Sequence, residues 1–94
     1  MPRYLVERLF GEMDDEAMEM VGARSKKIAA DEFPEVTWEH SHVVVDENGE
    51  SRTFCIYDAP NEDVVRKHAH RLGHHEIARL YEIGGDVSPA DFPT

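Results

Sequence analysis

The chain has 94 residues, of which 40% are apolar and 32% charged, and its 20 acidic and 10 basic residues give a formal net charge of −10. This length and composition predict one globular domain with a modest core and exclude a disordered chain. The acidic balance argues against nucleic acid as a partner, because phosphate contacts need a basic face, and it suits either cation attraction or simple solubility.

The first predicted elements are a strand and a helix. Residues 4–10 are rich in strand formers, and Gly11 ends that strand. A helix follows, capped by Asp14 or Asp15, and it closes at Phe33-Pro34 because a residue before proline avoids helical backbone. The buried stripe of this helix is predicted to consist of Ala17, Met20, Val21, Ile28 and Ala29.

A hairpin is predicted next. Residues 36–45 form the longest strand pattern of the chain, and residues 52–58 form the returning strand. Between them lies Asn48-Gly49, a pair that favours a tight turn because both residues tolerate positive φ.

The second half ends with a helix and a strand. Asn61 is the natural N-cap of the helix, and Gly73 is placed to end it. Residues 80–83 are predicted to form a short last strand, and residues 1–88 form the core of the domain with 89–94 as a tail. The buried stripe of the second helix is predicted to be Val65, Ala69 and Leu72.

The order strand, helix, strand, strand, helix, strand predicts a single α+β domain over residues 1–94. It is the ferredoxin-like βαββαβ arrangement, with a four-stranded antiparallel sheet and both helices on one face. The other face, called here the open face, must be solvated or covered by a second copy. We expect Trp38 and Tyr57 on the open face, which favours a homodimer stacked sheet to sheet.

The environment of the chain follows from what it lacks. No apolar run reaches the ~18 residues of a membrane helix, and the N-terminal residues hold no apolar stretch of signal-peptide length. The single cysteine, Cys55, permits no intramolecular disulfide. We therefore expect a cytoplasmic protein with no membrane partner.

The strongest candidates for chemistry are histidines on the second strand. Trp38, His40 and His42 alternate, and a period of 2 predicts that all three share one face. Two imidazoles at this spacing can converge on one divalent ion such as Ni²⁺, Zn²⁺ or Cu²⁺. The alternative is a pair of ordinary exposed strand histidines.

Cys55 is the next candidate. If Phe54 and Ile56 face the helices, Cys55 lies on the open face, where a thiolate beside imidazoles favours soft or borderline metals. The alternative is that Cys55 is a small buried apolar side chain.

Two further residues complete the candidate set. His68 lies beside the apolar stripe of the second helix and is either a core histidine or a third ligand. Glu7, on the first strand, is either a ligand, a general base or a half-exposed strand residue. The other histidines, His70, His74 and His75, are predicted to be solvated surface residues.

Three segments resemble a known family: Tyr4-Leu5-Val6-Glu7-Arg8, residues 36–41 and residues 53–60. The family comprises small bacterial proteins whose members mostly have no assigned function, and its characterised type is a dimeric, ferredoxin-like nickel-binding protein. The resemblance implies a homodimer that binds a divalent metal. The positions of this chain that match the family pattern are His40, His68, Glu7 and Cys55. His42 departs from that pattern, as does His74-His75.

We therefore predict binding or sensing of a divalent metal rather than catalysis, with nickel first and zinc or copper as alternatives. The metal ligands are predicted among His40, His42, His68, Glu7 and Cys55. Because metal binding needs neutral imidazole, the affinity for the metal should weaken as the pH falls through ~6.5. Two alternatives stay open: a small-molecule enzyme using Glu7, His40 and His68 as acid and base, and an interaction module without a site.

Overall fold

The computed structural model of the protein describes residues 1–92, and it has four strands and two helices in the predicted order. Both helices cover one face of a single sheet with strand order β2-β3-β1-β4, in which every neighbouring pair is antiparallel. The ferredoxin-like α+β prediction is confirmed. The elements are β1 (Arg3–Gly11), α1 (Asp15–Glu32), β2 (Thr37–Val45), β3 (Ser51–Asp58), α2 (Glu62–Leu72) and β4 (Glu76–Glu82).

The ends of the helices are fixed by the residues that the sequence indicated. The carboxylate of Asp14 accepts a hydrogen bond from the Ala17 amide at 2.7 Å, and the side chain of Asn61 accepts one from the Val64 amide at 3.0 Å. These caps satisfy amides that the first turn of a helix leaves unpaired. Gly73, at a φ of +69°, ends α2 as predicted.

Two turns refine the predictions. In the β2–β3 hairpin only Gly49 has a positive φ, +78°, whereas Asn48 does not. After α2, His74 follows Gly73 with a φ of +60°, and the chain enters the sheet directly. The last strand therefore begins at Glu76, not at Leu80, and the predicted start of that strand was wrong.

The face of the sheet that carries the helices is not the one that the alternation of β3 suggested. Cys55 and Tyr57 are 4% and 2% exposed and join the core with Val65 of α2. Phe54 and Ile56 lie on the open face and are only half-buried. The predicted orientation of β3, with Cys55 and Tyr57 on the open face, was therefore wrong. Both sets are largely apolar, so alternation alone does not orient the strand.

A β-bulge divides the predicted row on β2. Trp38 is paired with Tyr57, but His40 is paired with Ile56, so Glu39 is an extra residue in the ladder. Because directly paired residues share a face, Trp38 lies on the helix-covered face while His40 and His42 lie on the open face. The prediction that Trp38 shares their face was wrong, and the prediction that His40 and His42 share one face is confirmed.

The first half of α1 stands away from the sheet. Its first buried residue is Ser25, and Met20, which was predicted to be buried, is 68% exposed. Ile28 and Ala29 are buried as predicted, whereas Ala17 and Val21 are half-buried. The helix therefore leaves a gap over the sheet near its N-terminal half.

The remaining described segment, after β4, contains only a short 3-10 turn, Pro89–Asp91. Of the predicted tail, Pro93 and Thr94 lie outside the described residues. Within residues 1–92, no helix is both long and apolar enough to cross a membrane.

Candidate functional site

A pair of exposed histidines lies on β2, an edge strand of the sheet. The imidazole rings of His40 and His42 have centroids 5.3 Å apart and planes at 83°. Two imidazoles bound to one ion at metal–nitrogen distances of about 2.1 Å have centroids roughly 4.5–5.3 Å apart, depending on the angle at the metal. The distance between the two rings is therefore in the range of two imidazoles bound to one ion.

Glu7 lies on the same face but is already engaged by cations. It is paired with Phe54 of β3, the residue that is also paired with His42, so one strand separates it from the histidines. Its carboxylate accepts a hydrogen bond from Arg52 at 2.5 Å, and the Nε of Arg79 is 4.0 Å away. The side chain is 12% exposed. The carboxylate of Glu7 therefore neutralises arginine charge and is not free to bind a metal.

His68 lies on the other side of the sheet. It is 1% exposed, and its Nε2–H donates to the Ser25 carbonyl at 3.2 Å. Its ring packs edge-on against Phe33 and Tyr57, with centroids 5.8 and 5.9 Å away. Burial lowers the pKa of His68, so the ring is neutral in the folded protein. Of the two predicted roles, the structure gives it that of a core histidine.

Cys55 shares the helix-covered face. Its thiol is buried and donates to the Thr53 hydroxyl at 3.2 Å. The sheet therefore separates Cys55 and His68 from the other three predicted ligands. Among residues 1–92 there is no group of three or more histidine, cysteine or acidic side chains arranged to hold a metal. The acid–base trio Glu7, His40 and His68 is divided by the sheet in the same way.

A buried polar cluster was missed by the sequence analysis. Arg8 is 1% exposed; its Nη2 donates to the Tyr57 hydroxyl at 2.9 Å, and its Nη1 donates to Nε2 of His75 at 2.9 Å. The ring of His75 stacks on Phe10 at a centroid distance of 4.9 Å. His75 is therefore not a solvated surface residue, and that prediction was wrong, whereas His70 and His74 are exposed as predicted.

One signal in the sequence pointed to this cluster. Arg8 follows Tyr4 and Val6 at a period of 2, and all three are buried on the helix-covered face. An arginine in register with a buried apolar row indicates a buried cation that needs partners.

The hydrogen bonds of His75 fix its tautomer. The Gly73 carbonyl, 2.8 Å from Nδ1, can only accept, so Nδ1 carries the proton and Nε2 accepts from Arg8. Burial is the main cause that lowers the pKa of His75, and the positive charge of Arg8 acts in the same direction. Like His68, His75 is neutral in the folded protein.

These two histidines predict how stability depends on pH. Their pKa values are lowered by folding, so below the ordinary value of 6.5 the unfolded chain binds protons more readily than the folded one. The stabilisation is present above pH 6.5 and is lost as the pH falls. Between pH 6.5 and 5.5 we expect the free energy of unfolding to drop by up to about 1 kcal/mol through the buried His68, and by less through the half-buried His75.

Urea unfolding of wild type, His68→Gln and the matched surface variant His70→Gln at both pH values checks this expectation. His68→Gln should show a shallower pH dependence, and His70→Gln should follow the wild type. An equal slope in all three proteins would show that burial of His68 has no part in the pH dependence.

One family of known proteins matches most of this sequence. Residues 4–83 match the family model described as nickel responsive protein SCO4226-like. This span includes both helices and all four strands, except for the first residue of β1. No protein with curated annotation shows a significant sequence match. Because the family model covers most of the chain, the protein belongs to the SCO4226-like family of nickel responsive proteins.

Proposed function

We propose that the protein binds Ni²⁺ reversibly and that His40 and His42 are its ligands from the protein. The observation that carries the proposal is the 5.3 Å spacing of two exposed imidazoles on one face of β2. Imidazole nitrogen is a suitable ligand for Ni²⁺, Zn²⁺ and Cu²⁺. The family description favours nickel among them, and the net charge of −10 attracts cations to the surface.

The other predicted ligands suit a metal less well. Cys55 lines the same cavity as Arg8, whose guanidinium keeps its positive charge and repels a divalent cation. Glu7 neutralises Arg52, and a metal would have to displace that arginine. A two-histidine site completed by water binds more weakly than a closed four-ligand site, and weak binding suits a reversible response better than storage.

We also propose that the protein is a homodimer through the open face. The central strands β1 and β3 present a mainly apolar row there, interrupted by the Glu7–Arg52 ion pair, and an antiparallel sheet with a solvated face normally shows more polar residues. A second copy would cover this row through a symmetric interface. The histidine pair, on the edge strand β2, would then lie at the rim of the interface and stay within reach of ions. The half-buried apolar residues of the row are Leu5, Leu9, Phe54 and Ile56.

A cytoplasmic setting fits these features. The protein has one cysteine, which is free and buried, and a single cysteine forms no disulfide within the chain.

Isothermal titration of tag-free protein with Ni²⁺ tests the proposed function. We expect saturable binding of one ion per chain at pH 7.5 and no comparable heat with Mg²⁺, which prefers oxygen ligands. Equal binding of Ni²⁺ and Mg²⁺ would indicate attraction to the acidic surface instead of an imidazole site.

A further inference from the structure

The helix-covered face of the sheet contains a cavity of about 230 Å³. It lies beneath the first half of α1, where the helix stands away from the sheet. The cavity is on the opposite side of the sheet from His40 and His42, so the proposed metal site does not use it.

The cavity walls are mainly apolar. An apolar cavity of about 150 Å³ holds a benzene molecule, so the larger space here has room for an aromatic ring with a short side chain. The apolar lining comes from α1, β2 and the end of α2, and it includes Met18, Val21, Trp38, Val43 and Leu72.

One wall of this apolar cavity carries a positive charge. Arg8 lines it, is 1% exposed, and donates only to neutral groups, the Tyr57 hydroxyl and His75. Its Nε is buried and has no hydrogen-bond partner among the described residues. Within residues 1–92 no carboxylate forms a salt bridge with it; the adjacent Glu7 points to the opposite face and pairs with Arg52. A buried cation without a counter-charge destabilises the folded protein, and an anion in the cavity would remove much of that destabilisation.

Tyr57 adds a second polar group at the same wall. Burial raises the pKa of its hydroxyl, which therefore keeps its proton. The oxygen accepts a hydrogen bond from Arg8, and its O–H, which lies close to the side chains of Ser25 and Cys55, can turn to donate to a ligand. Arg8 and Tyr57 together offer two donors to one small acceptor group.

We propose that this cavity binds a small monocarboxylate with an apolar, ring-sized body. The carboxylate pairs with the unused Nε edge of Arg8 and accepts a hydrogen bond from Tyr57, and the apolar body lies under α1 between Val21 and Trp38. A single negative charge matches the single buried guanidinium. A phosphate group would bring more charge and more acceptor oxygens than these two donors satisfy.

Tryptophan fluorescence measures this binding directly, because Trp38 is the only tryptophan and lines the cavity. The probes are benzoate, phenylacetate and hexanoate, each compared with its neutral amide. We expect at least one acid to bind saturably and about 10-fold or more tighter than its amide, since a hydrogen bond to a charged group contributes about 1.5–3 kcal/mol. The proposal is overturned if no acid binds, if acid and amide bind equally, or if sodium chloride at the same concentration produces the same change.

Two arginine variants distinguish binding in the cavity from binding at the protein surface. Arg8→Gln should lose the preference for acid over amide, while the exposed Arg66→Gln on α2 should keep it. If Arg8→Gln does not fold, Tyr57→Phe, which keeps the ring volume, should weaken acid binding several-fold with little effect on the amide. Acid binding should be the same with and without Ni²⁺, so this test and that of the proposed metal site fail independently.

Discussion

Replacing both His40 and His42 with alanine is expected to weaken Ni²⁺ binding by at least about 100-fold. Loss of a residue that only supports a ligand costs 10–100-fold in metal affinity as a rule, and this change removes both proposed ligands outright. The fold should not change, because both side chains are exposed on an edge strand and make no side-chain hydrogen bond within residues 1–92. Calorimetric titration of the double variant gives the affinity, and circular dichroism checks the fold.

The chain offers a matched control for this experiment. His70 and His74 are also exposed and lie away from the open face, so the double variant His70→Ala/His74→Ala has the same number of surface imidazoles as the test variant. We expect wild-type nickel affinity from it. If both double variants lose the same affinity, nickel binding is a property of surface histidines in general, and the account of β2 is wrong.

The second large effect concerns the proposed dimer. Ile56→Lys is expected to convert the dimer to a monomer at micromolar concentration. Ile56 lies on the central strand β3, half-buried on the open face, between Leu5 and His40 in the strand ladders. In a symmetric interface each substitution occurs twice, so two unpaired charges would be buried close together. Sedimentation velocity of wild type and variant measures the change.

Met20→Lys is the control for that substitution. Met20 is 68% exposed on α1, on the helix-covered side, so a lysine there adds the same charge without touching the open face. We expect this variant to remain dimeric. A wild type that sediments as a monomer, or an Ile56→Lys protein that stays a dimer, would contradict the proposed interface.

The order of elements was predictable because it depends on local signals. The caps at Asp14 and Asn61, the stop at Gly73 and the turn at Gly49 each act within a few residues of the chain. Periodicity between these points was enough to assign strands and helices, and the six elements admit few topologies.

The orientation of the strands was not predictable from the same signals. Both faces of β3 carry apolar residues, so the alternation does not show which set of side chains packs against the helices. The bulge at Glu39 has no sequence signature such as glycine, yet it separates Trp38 from His40. A single extra residue therefore decides which aromatic and which histidines share a surface.

The two sides of the sheet consequently have different chemistry. Glu7 and Arg8 are neighbours in sequence and point to opposite faces of the sheet. Glu7 pairs with Arg52 on the open face, and Arg8 lies among neutral and apolar side chains on the helix-covered face. The open face carries the histidine pair and an ion-paired carboxylate. The helix-covered face carries a buried cation, neutral histidines and a thiol. The sequence pattern does not determine which face of the sheet each strand residue occupies, so candidate ligands from both faces were predicted to share one site.

Nuclear magnetic resonance of the histidine side chains tests the central claim most directly, because all six imidazoles are observed in one titration of untagged protein with Ni²⁺. Paramagnetic broadening falls steeply with distance from the ion. We predict that the signals of His40 and His42 broaden first and together, while those of His68 and His75, across the sheet, persist. Early broadening of His68 and His75 with His40 and His42 unaffected would contradict the account.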